Sequence, residues 1–349
     1  MVQQHPDSDA LAAYLRAQAT EFLRAPKGFA AGGGGGAECA PALRRAARRI
    51  GATLHTFHSV LDPAWSTALR RELAWFSGVL AQERLHTATL GRLRAALHEP
   101  REDLGAAKAA ALLERRLTPA RGRAHSAVLE ALGSARFHAL ADAVALLAGE
   151  VPLRGDGPGR GPVDGRGHAG GGQDAGRDGT GDSAWGGDPG DGDGAGLRAH
   201  TDAAGRRLAE AVAALPEAHP GTGPDRAPYP ADRPGDGDAP WHQVRALLRL
   251  HRYALEALTL PVPPRLLSAA RALDRHRDAA EAASVAAAAA RTPRIAPATA
   301  YALGNLHAHQ RHEVLAARHD FHQAWRSPAQ PRTVPVPHPS TSTSTVTVP

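Results

Sequence analysis

Seven basic side chains stand at spacings that let them act together: Arg44, Arg48 and His55 in one stretch, and His242, Arg245, Arg249 and Arg252 far along the chain. On a helix, steps of three and four bring the last set onto one side, where neighbouring guanidinium groups can each fork onto phosphate oxygens. The chemistry such residues perform is anion recognition, not bond breaking. Each stripe runs beside an apolar seam. Leu43, Ala47, Ile50, Leu54 and Phe57 accompany Arg44, Arg48 and His55, while Val244, Leu248, His251, Leu255 and Leu258 accompany the later set. A stripe fixed beside a packing seam cannot spread its charges apart, so it suits a polyanionic partner better than bare solvent. The alternative, left open by the residues alone, is a solvated helix face. Because Arg44 and Arg48 share the register of Arg245 and Arg249, two helices lining one groove are expected.

Other chemistries find less support. His307, His309, His312, His319 and His322 crowd one C-terminal stretch, but no Glu-x-x-His or HExxH pattern accompanies them, and no metal site is assigned. There is no Gly-Lys-Ser/Thr phosphate loop and no nucleophile elbow, and Cys39 lies beside a glycine break without an identifiable base. His276 and Asp278 are two positions apart on a predicted helix and face different ways. No catalytic residue and no cofactor is assigned.

The elements that must position the stripes read as helices throughout. Helical patterning covers Asp7 to Leu23, Pro41 to Val60 with proline in the first turn, Asp62 to His98, Ala106 to Leu132 with an interruption or kink at Pro119, and Ser134 to Ala148. It resumes at Leu197 to Leu215, then at Trp241 to Leu258, Pro263 to Ala290 and Ala298 to Arg326. Between them, Gly155 to Gly196 is mostly Gly, Asp, Arg and Pro, too poor in apolar surface to offset its ordering entropy, and is expected to be disordered. Gly155, Gly157 and Gly159 form no nucleotide fingerprint, since neither strand nor helix flanks them. The chain therefore divides into a first helical part, 1–150; an insert, 151–196; a second helical part, 197–326; and a Pro/Ser/Thr tail, 327–349, also expected to be disordered.

Composition sets the electrostatic frame. Aromatic residues make up only 4% of the 349 residues, so the core must be built mainly of Leu, Ala and Val. Almost every base is arginine, Lys27 and Lys108 being the only lysines. The segment Val151 to Pro240 holds 9 basic and 15 acidic residues, so of the chain's net +6 the remainder carries +12. A single cysteine, no apolar leader at Met1 to Asp9 and no long apolar run predict a cytoplasmic protein that does not engage membranes.

The series His242-x-x-Arg245-x-x-x-Arg249-x-x-Arg252-Tyr253-x-x-Glu256 resembles the second basic helix of the CHAD family, the conserved histidine α-helical domain. Leu273 to Asp278 (LDRHRD) is similar to that family's Leu-Gly-x-His-x-Asp motif, and Ala302 to His307 resembles a segment near its end. Leu43-Arg44 and Arg48-Arg49-Ile50 resemble its first basic helix, and Glu72-Leu73, Trp75 and Arg84 the next. Pro41, Gly51 and Ala246 stand where the family carries histidine, arginine and lysine.

The resemblance implies an all-α fold of two helical bundles related by a pseudo-twofold, with a basic groove between them that binds inorganic polyphosphate. Arg44, Arg48, Arg49, Arg84, His242, Arg245, Arg249 and Arg252 would contact the phosphates. The expected function is non-enzymatic polyphosphate binding, with polyphosphate granules or enzymes of phosphate metabolism as further partners. Alternatives are a scaffold or accessory domain of phosphate metabolism that has lost its ligand, and a phosphohydrolase. Nucleic acid is disfavoured, because Tyr253 is almost the only stacking residue near the stripes.

Overall fold

The computed structural model describes residues 6–25, 36–98, 105–153, 196–216 and 237–326. Among these the fold is all-α, with nine α-helices and no strand: α1 (Pro6–Arg24), α2 (Gly36–Thr56), α3 (Pro63–Leu97), α4 (Ala106–Leu132), α5 (Ala135–Gly149), α6 (Leu197–Ala213), α7 (Ala239–Ala257), α8 (Pro264–Ala290) and α9 (Pro297–Arg326). A single 3-10 turn, His58–Val60, links α2 to α3. Most of the insert and all of the tail lie outside the described residues.

Local chemistry explains where helices begin. The Asp62 carboxylate accepts from the backbone N–H of Trp65 at 2.7 Å, with Pro63 in the first turn where its missing N–H costs nothing. Ser134 likewise accepts from the N–H of Phe137 at 3.1 Å. Two prolines behave differently from the sequence expectation. Helix α2 starts before Pro41, which therefore sits inside it and not in the first turn. Helix α4 runs through Pro119 as one element, because that residue is exposed and the carbonyl it leaves unpaired can turn to water.

Both apolar seams pack as their spacing requires. Leu43, Ala47, Ile50, Leu54 and Phe57 are buried in a cluster with α1, α3 and α5, centred on the rings of Phe22, Phe76 and Phe137. The C-terminal end of α7, through Ala254, Ala257 and Leu258, enters the same cluster. Val244 and Leu248 instead join α6, α8 and α9 around Trp241 and Phe321. A third cluster is shared: Leu90 and Leu93 of α3 and Leu113 of α4 pack on Ala282, Ala286 and Ala289 of α8 and Leu303 of α9. The alanine run of α8 is thus a buried packing face, its small side chains allowing α9 to lie close along it. At the start of α4, a Cβ on Gly105 would stand 2.0 Å from the Ala298 carbonyl oxygen, so only glycine permits this approach of α4 to α9.

Among the described residues, no single helix is long and apolar enough to cross a membrane.

Candidate anion-binding cleft

The basic stripes of α2 and α7 converge. Arg44 and Arg48 from α2, Arg84 from α3, Arg245, Arg249 and Arg252 from α7, and Arg277 from α8 line one cleft of about 140 Å³ together with Leu248, Tyr253, Ala270, Asp274 and Asp278. Among the described residues, seven guanidinium groups against two carboxylates leave a formal excess of five positive charges on that lining. Helix packing enforces the congregation: the α2 seam and Val244, Leu248 and Leu258 of the α7 seam are buried, with His251 and Leu255 partly so, and the stripes one position on are held at the cleft wall.

The arginines are not equivalent. Arg44 is buried and its Nε donates to the Ser77 carbonyl at 3.4 Å, which fixes it against α3. Arg245 is buried as well, and its Nε and one terminal nitrogen both reach Oδ1 of Asp274, at 2.7 and 2.6 Å. Burial pushes the Arg245 guanidinium below the ordinary arginine value, Asp274 works against this, and Arg277 and Arg48 add to the lowering. At Asp274 burial opposes ionisation, but Arg245, Arg277 and Arg249 outweigh it and hold the carboxyl below the usual carboxylate range. Arg277 pairs with Asp278 beside it. Arg252 lies 3.3 Å from Glu256 and over the Tyr253 ring at 4.9 Å.

Two of the eight expected residues do not line the cleft. Arg49 follows Arg48 by about 100° around the helix, and so cannot share its direction. Its Nε donates to Glu256 at 3.1 Å and its guanidinium lies over Tyr253 at 5.5 Å, while Tyr14 of α1 donates to the same carboxylate at 3.3 Å. Arg49 is a tie between α1, α2 and α7. His242 is exposed at the N-terminal end of α7, its ring 5.7 Å from that of His276.

Sequence reasoning assigned no role to Arg277, Asp274 or Asp278. Their signal was present, since positions 274, 277 and 278 fall on one helical face. His276 points away from that face, as its spacing from Asp278 requires. It is buried with its ring stacked on Trp241 at 5.4 Å, and its Nε2 lies between Nε of Arg318 (3.2 Å) and Oδ1 of Asp238 (3.3 Å). Asp238 also receives Arg311 at 2.9 Å and Arg318 at 2.6 Å. This buried node pins the N-terminus of α7 to α8 and α9, and so sets where the arginines of α7 begin.

The C-terminal histidines disperse. His307 bonds the Ala283 carbonyl at 3.0 Å and His322 packs edge-on to Trp241. Among the described residues, no group of three His, Cys, Asp or Glu side chains is placed to hold a metal ion.

Residues 13–265 match the CHAD domain family. The chain belongs to the CHAD family. Among solved structures, it is similar to PptA from Streptomyces chartreusis, at 54% identity over 91% of this chain and 99% of that one, with a TM-score of 0.73. It also resembles the crystal structure of the CHAD domain from the plant Ricinus communis, at 19% identity, covering 92% of each chain, with a TM-score of 0.51; that likeness concerns the fold. A comparison with curated proteins gave no match. The CHAD match ends before Asp274 and Arg277, so these two cleft residues lie outside the matched segment.

Proposed function

We propose that this CHAD protein binds inorganic polyphosphate in the cleft between α2, α3, α7 and α8, without transforming it. The observation that carries the reading is the gathering of seven arginines from four helices on one surface, where two carboxylates stand among the described residues. Such density of like charge is costly unless an anion of comparable charge density compensates it. Arginine is the suitable donor, because its planar fork meets phosphate oxygens in pairs and stays charged at any physiological pH. Membership of a family linked to polyphosphate supports the same ligand. A linear chain of phosphates lying along the cleft would exchange its condensed counterions for these guanidinium groups. The driving force is then release of ions, as it is for nucleic acids.

The test is a polyphosphate titration of the wild type and the Arg245→Ala/Arg249→Ala double variant at several salt concentrations. The double variant is expected to bind about tenfold more weakly or worse, a loss of about 1.4 kcal/mol, and to show a shallower salt slope. Equal affinity would overturn the reading. Release of orthophosphate from polyphosphate in the presence of Mg²⁺ or Mn²⁺ would overturn its non-enzymatic part. The proposed setting is the cytoplasm, in association with polyphosphate granules, which co-sedimentation would check.

A further inference from the structure

Arg252 differs from Arg245 and Arg277 in where its carboxylate stands. Arg245 meets Asp274 and Arg277 meets Asp278, and both aspartates belong to the cleft lining, so a bound anion has to compete with them. Arg252 lies 3.3 Å from Oε1 of Glu256, one turn further along α7, and Glu256 is not part of that lining. The contact is an ion pair without hydrogen-bond geometry, made by an Nε that is fully enclosed. The two terminal nitrogens of Arg252 make no hydrogen bond with any described residue. One edge of this guanidinium is therefore engaged outside the cleft, and the other is left for a ligand.

Glu256 is itself anchored. Its Oε2 accepts from Nε of Arg49 on α2 at 3.1 Å and from the Tyr14 hydroxyl on α1 at 3.3 Å, which leaves Oε1 to Arg252. Burial disfavours the charge on Arg49, but Glu256, with Tyr14 and Tyr253, more than offsets this and raises its pKa. Tyr253, which lines the cleft, gives Arg252 a second support, its ring 4.9 Å from that guanidinium. An arginine held along one edge by a fixed carboxylate and against an aromatic ring has little rotamer freedom left to lose when it meets a phosphate.

We infer that Glu256 is a positioning residue for the polyphosphate site: it presets Arg252 toward the cleft, and Arg49 and Tyr14 act on the ligand by fixing Glu256. This role rests on the proposed function of the cleft. Charge counting and positioning then have opposite signs. Removal of a carboxylate near a cationic cleft raises its affinity for a polyanion by Coulomb attraction alone. Removal of the carboxylate that holds Arg252 lowers it, because the cost of ordering the side chain then falls on binding. Positioning outweighs repulsion here, since Arg49 already neutralises Glu256.

The experiment titrates polyphosphate into four full-length proteins at fixed salt: the wild type, Glu256→Gln, Arg252→Ala and the two combined. Glu256→Gln is expected to weaken binding about threefold while Arg252 is present, and not to weaken it in the Arg252→Ala background. A merely structural role would change affinity equally in both backgrounds, and urea midpoints of all four proteins report on folding. If Glu256→Gln fails to fold, Tyr14→Phe carries the same comparison with a smaller loss, because it removes one hydroxyl that anchors Oε2. Equal effects in both backgrounds, unchanged or tighter binding with Arg252 present, or wild-type affinity in Arg252→Ala would each overturn the positioning role and leave the cleft standing. Wild-type affinity in Arg245→Ala/Arg249→Ala would instead strike the cleft assignment, and the positioning role with it.

Discussion

Asp274 shows how single residues temper the cleft. Its side chain is more than half exposed, 59%, while its carboxylate rests on the buried Arg245, so in the free protein it stands where a phosphate would. Asp274→Asn should therefore tighten polyphosphate binding, by about twofold to fivefold, the range that so exposed a pair supports. Isothermal titration at fixed salt measures this, and weaker binding would show that Asp274 orients Arg245 for the ligand. Asp238 makes a contrasting case because it is buried among Arg311, Arg318 and His276. Burial opposes its ionisation, yet those partners hold its carboxyl below the ordinary range. A depressed folded pKa contributes stability that is fully present above the unfolded value of about 3.9 and is lost as pH falls through the folded value. Asp238→Asn should cost about 3 kcal/mol at neutral pH, since it strands two partly buried guanidinium groups. Urea midpoints should also respond less to acid below about pH 4 in this variant. His55 has the opposite chemistry and the same direction. With its pKa lowered to about 4, it stabilises the fold fully above the unfolded histidine value near 6.5, and that stability drains away as pH drops from there toward 4.

At the scale of elements, the ends of helices carry most of the specific geometry. The chain leaves α7 through Thr259, whose φ of 52° lies in the left-handed region that a β-branched residue adopts only with strain. Thr259→Gly should stabilise the protein by up to about 1 kcal/mol, visible as a higher melting temperature, because relief of the αL strain outweighs the added freedom of the unfolded chain. Gly105 poses the reverse problem. Any side chain there would meet the backbone at the start of α9, so Gly105→Ala must separate α4 from α9 and loosen the cluster they share with α3 and α8. The expected result is a lower melting temperature with the arginine cleft still present, since α2 and α7 do not depend on that contact.

Across the whole molecule, the proposed binding makes the balance between oppositely charged segments a determinant to test. Between Gly155 and Ala195 the sequence carries 8 aspartates and 3 arginines. That charge opposes the sign of the cleft, and within the Debye length of about 8–10 Å at physiological salt it would compete with a polyanion. Deletion of Gly155 to Ala195, sparing Gly196 because α6 begins after it, should tighten polyphosphate binding at low salt and have less effect at high salt. Binding unchanged at every salt concentration would leave the segment a passive connector.

Helix content, the order of the elements and the two basic stripes are legible in the sequence, because each depends on spacings of three and four residues within one stretch of chain. Six of the eight expected arginine and histidine positions meet in one cleft for that reason, together with the burial of the seams beside them. What the sequence by itself could not decide is anything that rests on two distant helices. That Arg49 turns to Glu256, that Asp274 sits on Arg245 and that Arg277 completes the wall all follow from crossings between separate helices. Periodicity tells which face of a helix carries a charge. Only packing decides what that charge faces, because the electrostatic partner of a side chain is fixed by distances of a few ångströms between elements whose separation along the chain carries no such information.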